Sequence, residues 1–451
     1  MEKGFGKKLR GLVLPIAFQQ FMLAAVSASD AVMLGMLNQD AMAGISLASQ
    51  VQFVFSLYLS AMTIGASIFA AQYWGNGNRD AVERILGMAL KVTMPVSAGF
   101  TLITALMPQA VMRIFTNEPT LIANGAAYLR AVSLSYLLCG ISQVYLCIMK
   151  NCGRASTASR IGSVSVLLNI GLNALLIFGL FGLPRLGIVG AAIATVLARL
   201  SELIWAFLDS RVSGRIGFRW QYFRVRDNAL CRRFWKYTAP VLGNEIVWGV
   251  GFTMGSVIMG HMGSDAVAAN SLANIAKNLL ICVCMGIGSG GGILVGNELG
   301  ANHLERAKSY GIRIARLSIL FGAITGGVLL MLRPLIVSMA SLTPDAKAYL
   351  NGMLAICSYY CIGKSVNSTV IGGIFCAGGD SKFGFLCDAV TLWGITVPLG
   401  LLAAFVWKLP VLAVYFIINL DEIIKLPAVY IHFKKYKWVK NLTQPEGGTV
   451  T

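Results

Sequence analysis

The feature that most constrains this chain is its series of long apolar runs. Twelve of them are 20 or more residues long, and about 20 apolar residues are what an α-helix needs to cross a lipid bilayer. Charged residues make up only 12% of the 451 positions and apolar residues 56%, whereas a soluble domain carries about 25% charged residues. So little polar surface cannot cover a globule in water. A soluble enzyme, a disordered chain and a secreted disulfide scaffold are therefore excluded.

We predict that all twelve runs are helices. A strand of a membrane barrel would show about ten residues of strict alternation, and none of these runs alternates. The sequence therefore predicts an all-α polytopic membrane protein. The predicted spans are 11–37, 44–74, 86–109, 125–149, 157–182, 187–208, 237–262, 267–297, 312–335, 346–376, 383–407 and 409–431.

The distribution of Lys and Arg predicts the orientation in the membrane. The loops on one side carry 26 of these residues and the loops on the other side carry five. Cytoplasmic loops of membrane proteins are enriched in Lys and Arg, so both termini are expected in the cytoplasm and the chain in the plasma (inner) membrane. The basic stretch 209–236 is expected to anchor on anionic lipid. Neither this stretch nor the net charge of +18 indicates a nucleic-acid partner.

A tandem repeat divides the chain into two halves. When the sequence is shifted by 225 residues, Pro15 falls on Pro240, and eight of the seventeen positions from Val32 to Ala48 are identical. The predicted organisation is a six-helix lobe at 1–208, a basic linker at 209–236, a second six-helix lobe at 237–431 and a cytoplasmic tail at 432–451. Transporters that rock one half against the other are built in this way.

Cysteine, histidine and glycine patterns argue against cofactor chemistry. The ten cysteines form no CxxC pair and lie mostly in apolar runs, so we interpret them as small apolar residues. The three histidines are too scattered for a metal site, and no P-loop occurs. We therefore expect no enzyme activity, no cofactor and no structural metal. The glycine-rich segment 286–292 is interpreted as a close contact between helices.

Buried carboxylates are the first candidates for ion coupling, because an unpaired charge in a membrane core is costly and marks function. Asp30 lies fifteen residues after Pro15, a residue that bends a helix. Burial favours the neutral form of a carboxyl group, so small changes around Asp30 could load or release a proton. Alternatively, Asp30 simply reaches water at the outer end of its helix. The other acids inside runs are Glu202, Glu245, Asp388, Asp421 and Glu422.

Several short motifs, taken in order, give the chain a family resemblance. They are Pro15 with Asp30, Met33-Leu34-Gly35, Ala71-Gln72-Tyr73-Trp74-Gly75, Asn169-Ile170-Gly171-Leu172-Asn173, Ile177-Phe178-Gly179 and the segment 186–195. Combined with twelve helices and the repeat, they resemble the multidrug and toxic compound extrusion (MATE) family along nearly the whole chain. The resemblance implies an antiporter that exports cationic or amphipathic compounds while H⁺ or Na⁺ flows inward.

The resemblance also implies a cation site in the first lobe. Family members carry a functional aspartate at the place of Asp30. Asn169 and Asn173, four residues apart on one helix face, could hydrogen-bond a protonated Asp30 or ligate Na⁺ transiently, and Thr195 matches a further hydroxyl of this site. Some relatives have Asp where this chain has Asn173, and the missing charge favours H⁺. The alternative is that the two asparagines only join neighbouring helices.

In the second lobe, the expected coupling residue is Glu245. It lies five residues after the helix-bending Pro240, whereas several relatives place a glutamate about one turn further on. We hypothesise that Glu245 pairs with Lys277 or Lys364, which have no acid three or four residues away. Asp388 likewise has no local partner, so it is either a polar contact facing the cavity or a second functional acid.

Other charged and aromatic residues complete the prediction. Arg199 with Glu202, and Asp421 with Lys425, are spaced to neutralise each other on one helix face. Lipophilic cations bind by burial and cation–π contact. The substrate-cavity candidates are accordingly Gln19, Gln20, Met22, Phe53, Trp248, Met254, Lys277, Lys364 and Asp388.

Three alternative functions remain. A lipid-linked oligosaccharide flippase of the same superfamily would need a cavity rich in Arg and Lys, whereas most basic residues here lie in loops. An integral-membrane enzyme would need a cluster of catalytic residues at a membrane surface. A passive channel would conduct without a coupling gradient. The expected partners are a small cationic or amphipathic compound and membrane lipid, and the expected state is a monomer.

Overall fold

A computed structural model of the chain describes residues 4–35, 39–179, 182, 184–212, 214–224 and 227–444. The side chains at 27, 28, 30–32, 34, 35, 39–42 and 224 lie outside this description. Within the described ranges the backbone forms helices and connecting turns, and none of it forms a strand. The predicted all-α class is confirmed.

The described helices follow one another along the chain with short connections. They are α1 Phe5–Gly35, α2 Gln39–Gly75, α3 Arg79–Leu106, α4 Pro108–Arg113, α5 Pro119–Val132, α6 Leu134–Met149, α7 Ala155–Phe178, α8 Gly187–Ser210, α9 Trp220–Arg224, α10 Asn228–Gly260, α11 Ser264–Gly300, α12 Leu304–Met339, α13 Pro344–Asn367, α14 Ser381–Asp388, α15 Val397–Leu401, α16 Val411–Ile418 and α17 Asp421–Lys434. Wider π-helical turns continue several of them, at Lys150–Arg154, Ser368–Phe375, Ala389–Thr396 and Leu402–Val406.

The helices agree with the predicted spans. Nine stretches of the described residues are long and apolar enough to cross a membrane. Eight of them each match one predicted span, and the ninth, Leu134–Phe178, covers two. The remaining spans, 346–376 and 409–431, are helical but interrupted, by a π-helical turn and by the break between α16 and α17 respectively. Each predicted span therefore contains helical backbone, and twelve crossings stays the predicted number.

Local sequence explains several helix boundaries. Thr343 accepts a hydrogen bond from the backbone N–H of Ala346, and Pro344 occupies the first turn of α13, where its missing N–H costs nothing. The long stretch Leu134–Phe178 breaks at Gly153, whose φ of 75° is a conformation that side-chain-bearing residues rarely adopt. One apolar stretch therefore becomes the two helices α6 and α7.

The described residues form two compact units. The C-terminal unit holds those within Met1–Phe21, Ala71–Gly77 and Trp235–Thr451, and the N-terminal unit holds those within Met22–Ala70 and Asn78–Phe234. The predicted lobes, 1–208 and 237–431, are the limits of a sequence repeat. Contacts instead group the start of α1 and the end of α2 with the C-terminal residues.

Glycines explain how α11 packs in the C-terminal unit. A Cβ at Gly286 would lie 2.6 Å from the Ala17 Cβ, and a Cβ at Gly292 would lie 2.9 Å from the Gly373 carbonyl oxygen. Only glycine permits backbones this close. The predicted packing role of segment 286–292 is confirmed.

The residues after α17 are fixed to the C-terminal unit by Gln72, which is fully buried. Its Nε2 donates to the carbonyl oxygens of Ala377 at 2.7 Å and Lys440 at 3.1 Å. Its Oε1 accepts from the Leu442 N–H at 2.6 Å. Trp438, also fully buried, holds the same segment. The chain beyond α17 is therefore part of the packed structure as far as residue 442.

An aromatic group forms part of the core of the N-terminal unit. The ring centroids of Phe55 and Tyr136 are 5.2 Å apart, as are those of Phe55 and Phe100. Part of the basic linker also packs on this unit, since Arg219 forms an ion pair with Glu83 on α3 at 2.6 Å. Of the ten cysteines, nine are buried, which confirms their interpretation as small apolar residues.

Candidate functional site

The N-terminal unit contains a cavity of about 650 Å³, a volume that suits a drug-sized ligand. Helices α1, α2, α5, α6, α7 and α8 all contribute to its wall. The wall is mixed, with aromatic, aliphatic, hydroxyl and amide groups. Its residues include Leu23, Val26, Ser49, Gln52, Tyr128, Tyr136, Asn169, Thr195 and Arg199.

Two residues predicted for the cation site, Asn169 and Thr195, line this cavity. The Asn169 Nδ2 donates to the Thr195 Oγ1 at 3.3 Å, and the Asn173 Nδ2 donates to the Asn169 Oδ1 at 3.2 Å. Helix α8 approaches α7 closely because Gly190 has no side chain. A Cβ there would lie 2.6 Å from the Leu176 carbonyl oxygen. The fold therefore brings the three polar residues together.

Asp30 belongs to α1, four residues after Val26 and seven after Leu23, and both of these line the cavity. The side chain of Asp30 lies outside the described part of the structure, so its role as coupling acid stays a prediction. Pro15 and Pro240 both lie inside long helices, α1 and α10.

The basic residue of the cavity wall, Arg199, is already paired. Its Nη1 lies 2.9 Å from the Glu202 Oε2, which confirms the predicted pair. The Glu202 Oε1 also accepts hydrogen bonds from Ser142 at 2.6 Å and Gln143 at 2.8 Å. The positive charge facing the cavity is thus neutralised by a carboxylate that is itself fully hydrogen-bonded.

A second group of charges is buried in the C-terminal unit, around Lys425. This residue is 2% exposed, and its Nζ lies 2.7 Å from the Asp388 Oδ1, 3.2 Å from the Asp421 Oδ2 and 3.4 Å from the Glu422 Oε1. The predicted pair of Asp421 and Lys425 is confirmed. Asp388, the last residue of α14, has no oppositely charged neighbour in the sequence, and its partner is the same Lys425 ammonium.

Lys364 extends this network. Its Nζ lies 3.2 Å from the Glu422 Oε1 and 4.8 Å from the ring centroid of Trp248. Asn367 donates to the Glu422 Oε2 at 2.7 Å. We use the name charge network for Asp388, Asp421, Glu422, Lys425 and Lys364.

For both lysines hypothesised to pair with Glu245, the structure shows a contact with another residue. Lys364 contacts Glu422, and the Lys277 Nζ lies 4.5 Å from the ring centroid of Tyr360. The reason is helix packing, because α17 lies against α13 and brings Glu422 to Lys364. Whether Glu245 takes part in coupling stays a prediction.

Beside the charge network lies a smaller cavity of about 70 Å³ in the C-terminal unit. Lys277 and Asp421 both line it, as do Trp248 and Phe252, whose stacked rings are 5.7 Å apart. The remaining polar residues of its wall are Ser256, Asn270, Asn274, Tyr360, Tyr415 and Asn419.

The structure places the predicted substrate-cavity residues in different locations. Trp248 and Lys277 line the smaller cavity, and Lys364 and Asp388 belong to the charge network. The described linings of the two cavities contain none of the remaining candidates, of which Gln19 is buried and the others half-buried. These others are Gln20, Met22, Phe53 and Met254.

Most polar residues of the smaller cavity's wall were not predicted from the sequence. The sequence nevertheless contained a signal for these residues, because Asn270, Asn274 and Lys277 recur at intervals of four and three residues in a predominantly apolar helix. This spacing places them on one helix face.

The two cavities are built from equivalent positions of the repeat. At the 225-residue offset, residues that line one cavity fall on residues that line the other. The same helix faces therefore point inward in both halves. The equivalent pairs are Leu23 with Trp248, Val26 with Gly251, Ile45 with Asn270, Ser49 with Asn274 and Gln52 with Lys277.

Comparison with known proteins supports this organisation. The family model described as MatE matches residues 15–175 and 240–431, and the two matches begin 225 positions apart, at the offset of the repeat. The chain belongs to the MATE family. The family resemblance inferred from the motifs is confirmed.

Curated MATE relatives match along most of their length. The chain is 23% identical over 401 residues to "Probable multidrug resistance protein YoeA" of Bacillus subtilis, with 84% of this chain and 82% of the relative covered. It is 26% identical over 422 residues to "Multidrug resistance protein NorM" of Burkholderia vietnamiensis, with 87% and 86% covered.

Solved structures share the fold. The structure titled "Crystal structure of MATE in complex with MaL6" has a TM-score of 0.87 at 14% identity, with 97% of this chain and 99% of that chain covered. The fold, the relatives and the family model agree. The protein is a multi-pass membrane transporter of the MATE multidrug efflux family.

Proposed function

We propose that this MATE transporter is a secondary antiporter that exports cationic or amphipathic compounds in exchange for H⁺. The observation that carries the proposal is the cavity of about 650 Å³ in the N-terminal unit. It combines room for a drug-sized ligand with the polar cluster of Asn169, Asn173 and Thr195. Exchange with Na⁺ is the competing possibility, and the experiment below separates the two.

The cavity wall supports a lipophilic, positively charged substrate. Tyr128 and Tyr136 offer aromatic faces and Leu23 and Val26 offer apolar area, which together bind lipophilic cations by burial and cation–π contact. Among the described residues that line the cavity, Arg199 is the basic one, and its ion pair with Glu202 means that it repels a cation weakly.

The repeat supports Asp30 as the coupling acid. Its equivalent in the second half is Gly255, 225 positions on, and Gly255 lines the smaller cavity. In α1, Asp30 comes seven residues after Leu23 and four after Val26, which both line the larger cavity. With Asn at position 173, Asp30 is the single acid among the predicted cation-site residues. A site with a single carboxylate suits a proton, because one proton neutralises the carboxylate fully.

Transport by purified protein in liposomes tests the proposal. Ethidium efflux is measured under an imposed pH gradient or an imposed Na⁺ gradient, for the unmodified protein and for Asp30→Asn. We expect transport driven by the pH gradient alone and abolished by the substitution. The matched control is Glu118→Gln, an exposed acid of the same unit, which should leave transport unchanged.

Each other outcome overturns a defined part of the proposal. Transport that requires Na⁺ overturns proton coupling, and normally coupled transport by Asp30→Asn overturns the role of Asp30. Ethidium flux that needs no gradient overturns the antiporter and favours a passive channel.

We also propose that the protein acts as a monomer with both termini in the cytoplasm. The excess of Lys and Arg on one side of the predicted topology supports this orientation. Labelling of cysteines introduced near each terminus, in intact cells with a reagent that does not cross membranes, tests it. Labelling at either terminus would contradict the orientation.

A further inference from the structure

The ammonium group of Lys277 is buried without an acidic partner. Lys277 is 6% exposed, and among the described residues no carboxylate oxygen lies within 4.0 Å of its Nζ. Its contact is the ring of Tyr360, 4.5 Å from the Nζ. A buried ammonium needs hydrogen-bond acceptors to offset the loss of water. The cavity that Lys277 lines has room for a ligand that supplies such an acceptor.

The position of Lys277 in the repeat distinguishes the two halves. Its equivalent in the N-terminal unit is the neutral Gln52, and the equivalent of Asp30 in the C-terminal unit is Gly255. The smaller cavity therefore has the basic Lys277 where the larger cavity has the neutral Gln52. It has Gly255, which lacks a side chain, at the position that corresponds to Asp30 in the first half. This exchange disfavours a cation at the Lys277 side of the cavity.

The wall of the same cavity also carries a residue of the opposite charge. Asp421 lines it and belongs to the charge network, in which three carboxylates face two lysines. With all five of its groups ionised the network carries one excess negative charge, equal and opposite to the positive charge of Lys277. A ligand group of net zero charge preserves this balance, whereas a lone anion faces Asp421 and a lone cation faces Lys277.

Size limits what can enter. A volume of about 70 Å³ holds a few heavy atoms, whereas a whole drug-sized ligand needs about 300 Å³ or more. The stacked rings of Trp248 and Phe252 supply an apolar surface for the rest of a ligand. The cavity is therefore suited to the end group of a larger amphipathic molecule.

We propose that the Lys277 cavity binds the carboxylate of a zwitterionic amphiphile, whose cationic part is attracted to the Asp421 side. The proposal rests on the proposed function, because it names a class of exported compound. Lys277 is then the residue that selects for a carboxylate, and the amides of Asn270 and Asn274 lie on the same face of α11 to complete the binding of its oxygens.

Equilibrium binding of two matched dyes to the purified full-length protein tests the proposal. One dye is a rhodamine with a free benzoate, and the other is the methyl ester of the same rhodamine, so that they differ only in the carboxylate. Fluorescence polarisation gives the Kd of each for the unmodified protein, Lys277→Met, Lys277→Gln and Lys277→Arg. The control is Lys382→Met, an exposed lysine of the same unit.

We expect Lys277→Met and Lys277→Gln to weaken binding of the free-acid dye about tenfold or more, the effect of losing a charge-assisted hydrogen bond. Binding of the ester should change less than about twofold. Lys277→Arg should restore binding of the free-acid dye. Lys382→Met should bind both dyes with the same Kd as the unmodified protein. If Lys277→Met does not fold, Lys277→Gln, which keeps a polar head group, carries the comparison.

Three results overturn the proposal. The first is an equal loss of affinity for both dyes in the Lys277 variants, which would indicate a packing role. The second is an unchanged Kd of the free-acid dye in these variants. The third is no binding of either dye by the unmodified protein. Failure of the proposed function is recognised separately, because it is read from gradient-driven ethidium efflux. A protein that binds the free-acid dye through Lys277 but fails to transport ethidium retains this site and loses the antiporter proposal.

Discussion

Replacing Lys425 with methionine removes the cation that three buried carboxylates share. Without it, Glu422 keeps Lys364 and Asn367, and Asp388 keeps the amide of Asn244, which can donate from 2.7 Å. Asp421 loses its ion-pair partner. Removing one partner of a buried ion pair costs about 3–5 kcal/mol, so the folding equilibrium constant of Lys425→Met should fall by about two to four orders of magnitude.

The assay is thermal unfolding of the purified protein in detergent, followed by intrinsic tryptophan fluorescence. We expect a midpoint several degrees below that of the unmodified protein. In the double variant Lys425→Met/Asp421→Asn the network has two carboxylates and one lysine, which restores its original excess of one negative charge. This variant should recover at least half of the loss, and Lys382→Met, which changes an exposed lysine, should unfold at the original midpoint.

The result that refutes the reasoning is a Lys425→Met protein as stable as the unmodified one. It would mean that the three carboxylates are neutral or hydrated in the folded protein. A double variant no more stable than Lys425→Met would show instead that the lysine contributes through packing of its long side chain.

Two further predictions concern the C-terminal segment. Gly378→Ala should greatly reduce the yield of folded protein, measured by size-exclusion chromatography, because its Cβ would overlap the Trp438 carbonyl oxygen. Gly327→Ala, where nothing lies within 4 Å, should be neutral or slightly stabilising, and equal yields would contradict the packing argument. Gln72→Leu should destabilise the segment by about 1–3 kcal/mol per buried polar group left unsatisfied and expose Lys440 to trypsin. Unchanged cleavage at Lys440 would show that Trp438 alone holds the segment.

The parts of the candidate site that could be predicted were those with local signals. Asn169 and Asn173 are one helical turn apart, and Arg199 with Glu202 and Asp421 with Lys425 have the spacing of neighbours on a helix. The structure confirms both ion pairs. A helix fixes which residues share a face, so a pattern within one helix is informative without knowledge of its neighbours.

Contacts between distant helices could not be predicted in this way. Lys364 and Glu422 are 58 residues apart, and the partner hypothesised for Lys364 or Lys277 from the sequence was Glu245. Nothing in a sequence of apolar helices specifies which face of α17 turns toward α13. That depends on how the helices pack, and between membrane helices the packing is directed by small residues and polar contacts.

The sequence by itself determined the all-α class, the membrane-spanning character, the repeat and the family. The physical reason is that a bilayer requires every backbone polar group to be paired within the chain, which limits a long apolar run to a helix. Only the tertiary structure decided that Lys425 contacts three acids, that the Lys277 ammonium has no carboxylate oxygen of a described residue within 4.0 Å, and that the two halves present equivalent cavities of different charge. These features depend on the rotation and approach of helices far apart in the chain, and the identity of the residues does not reveal them.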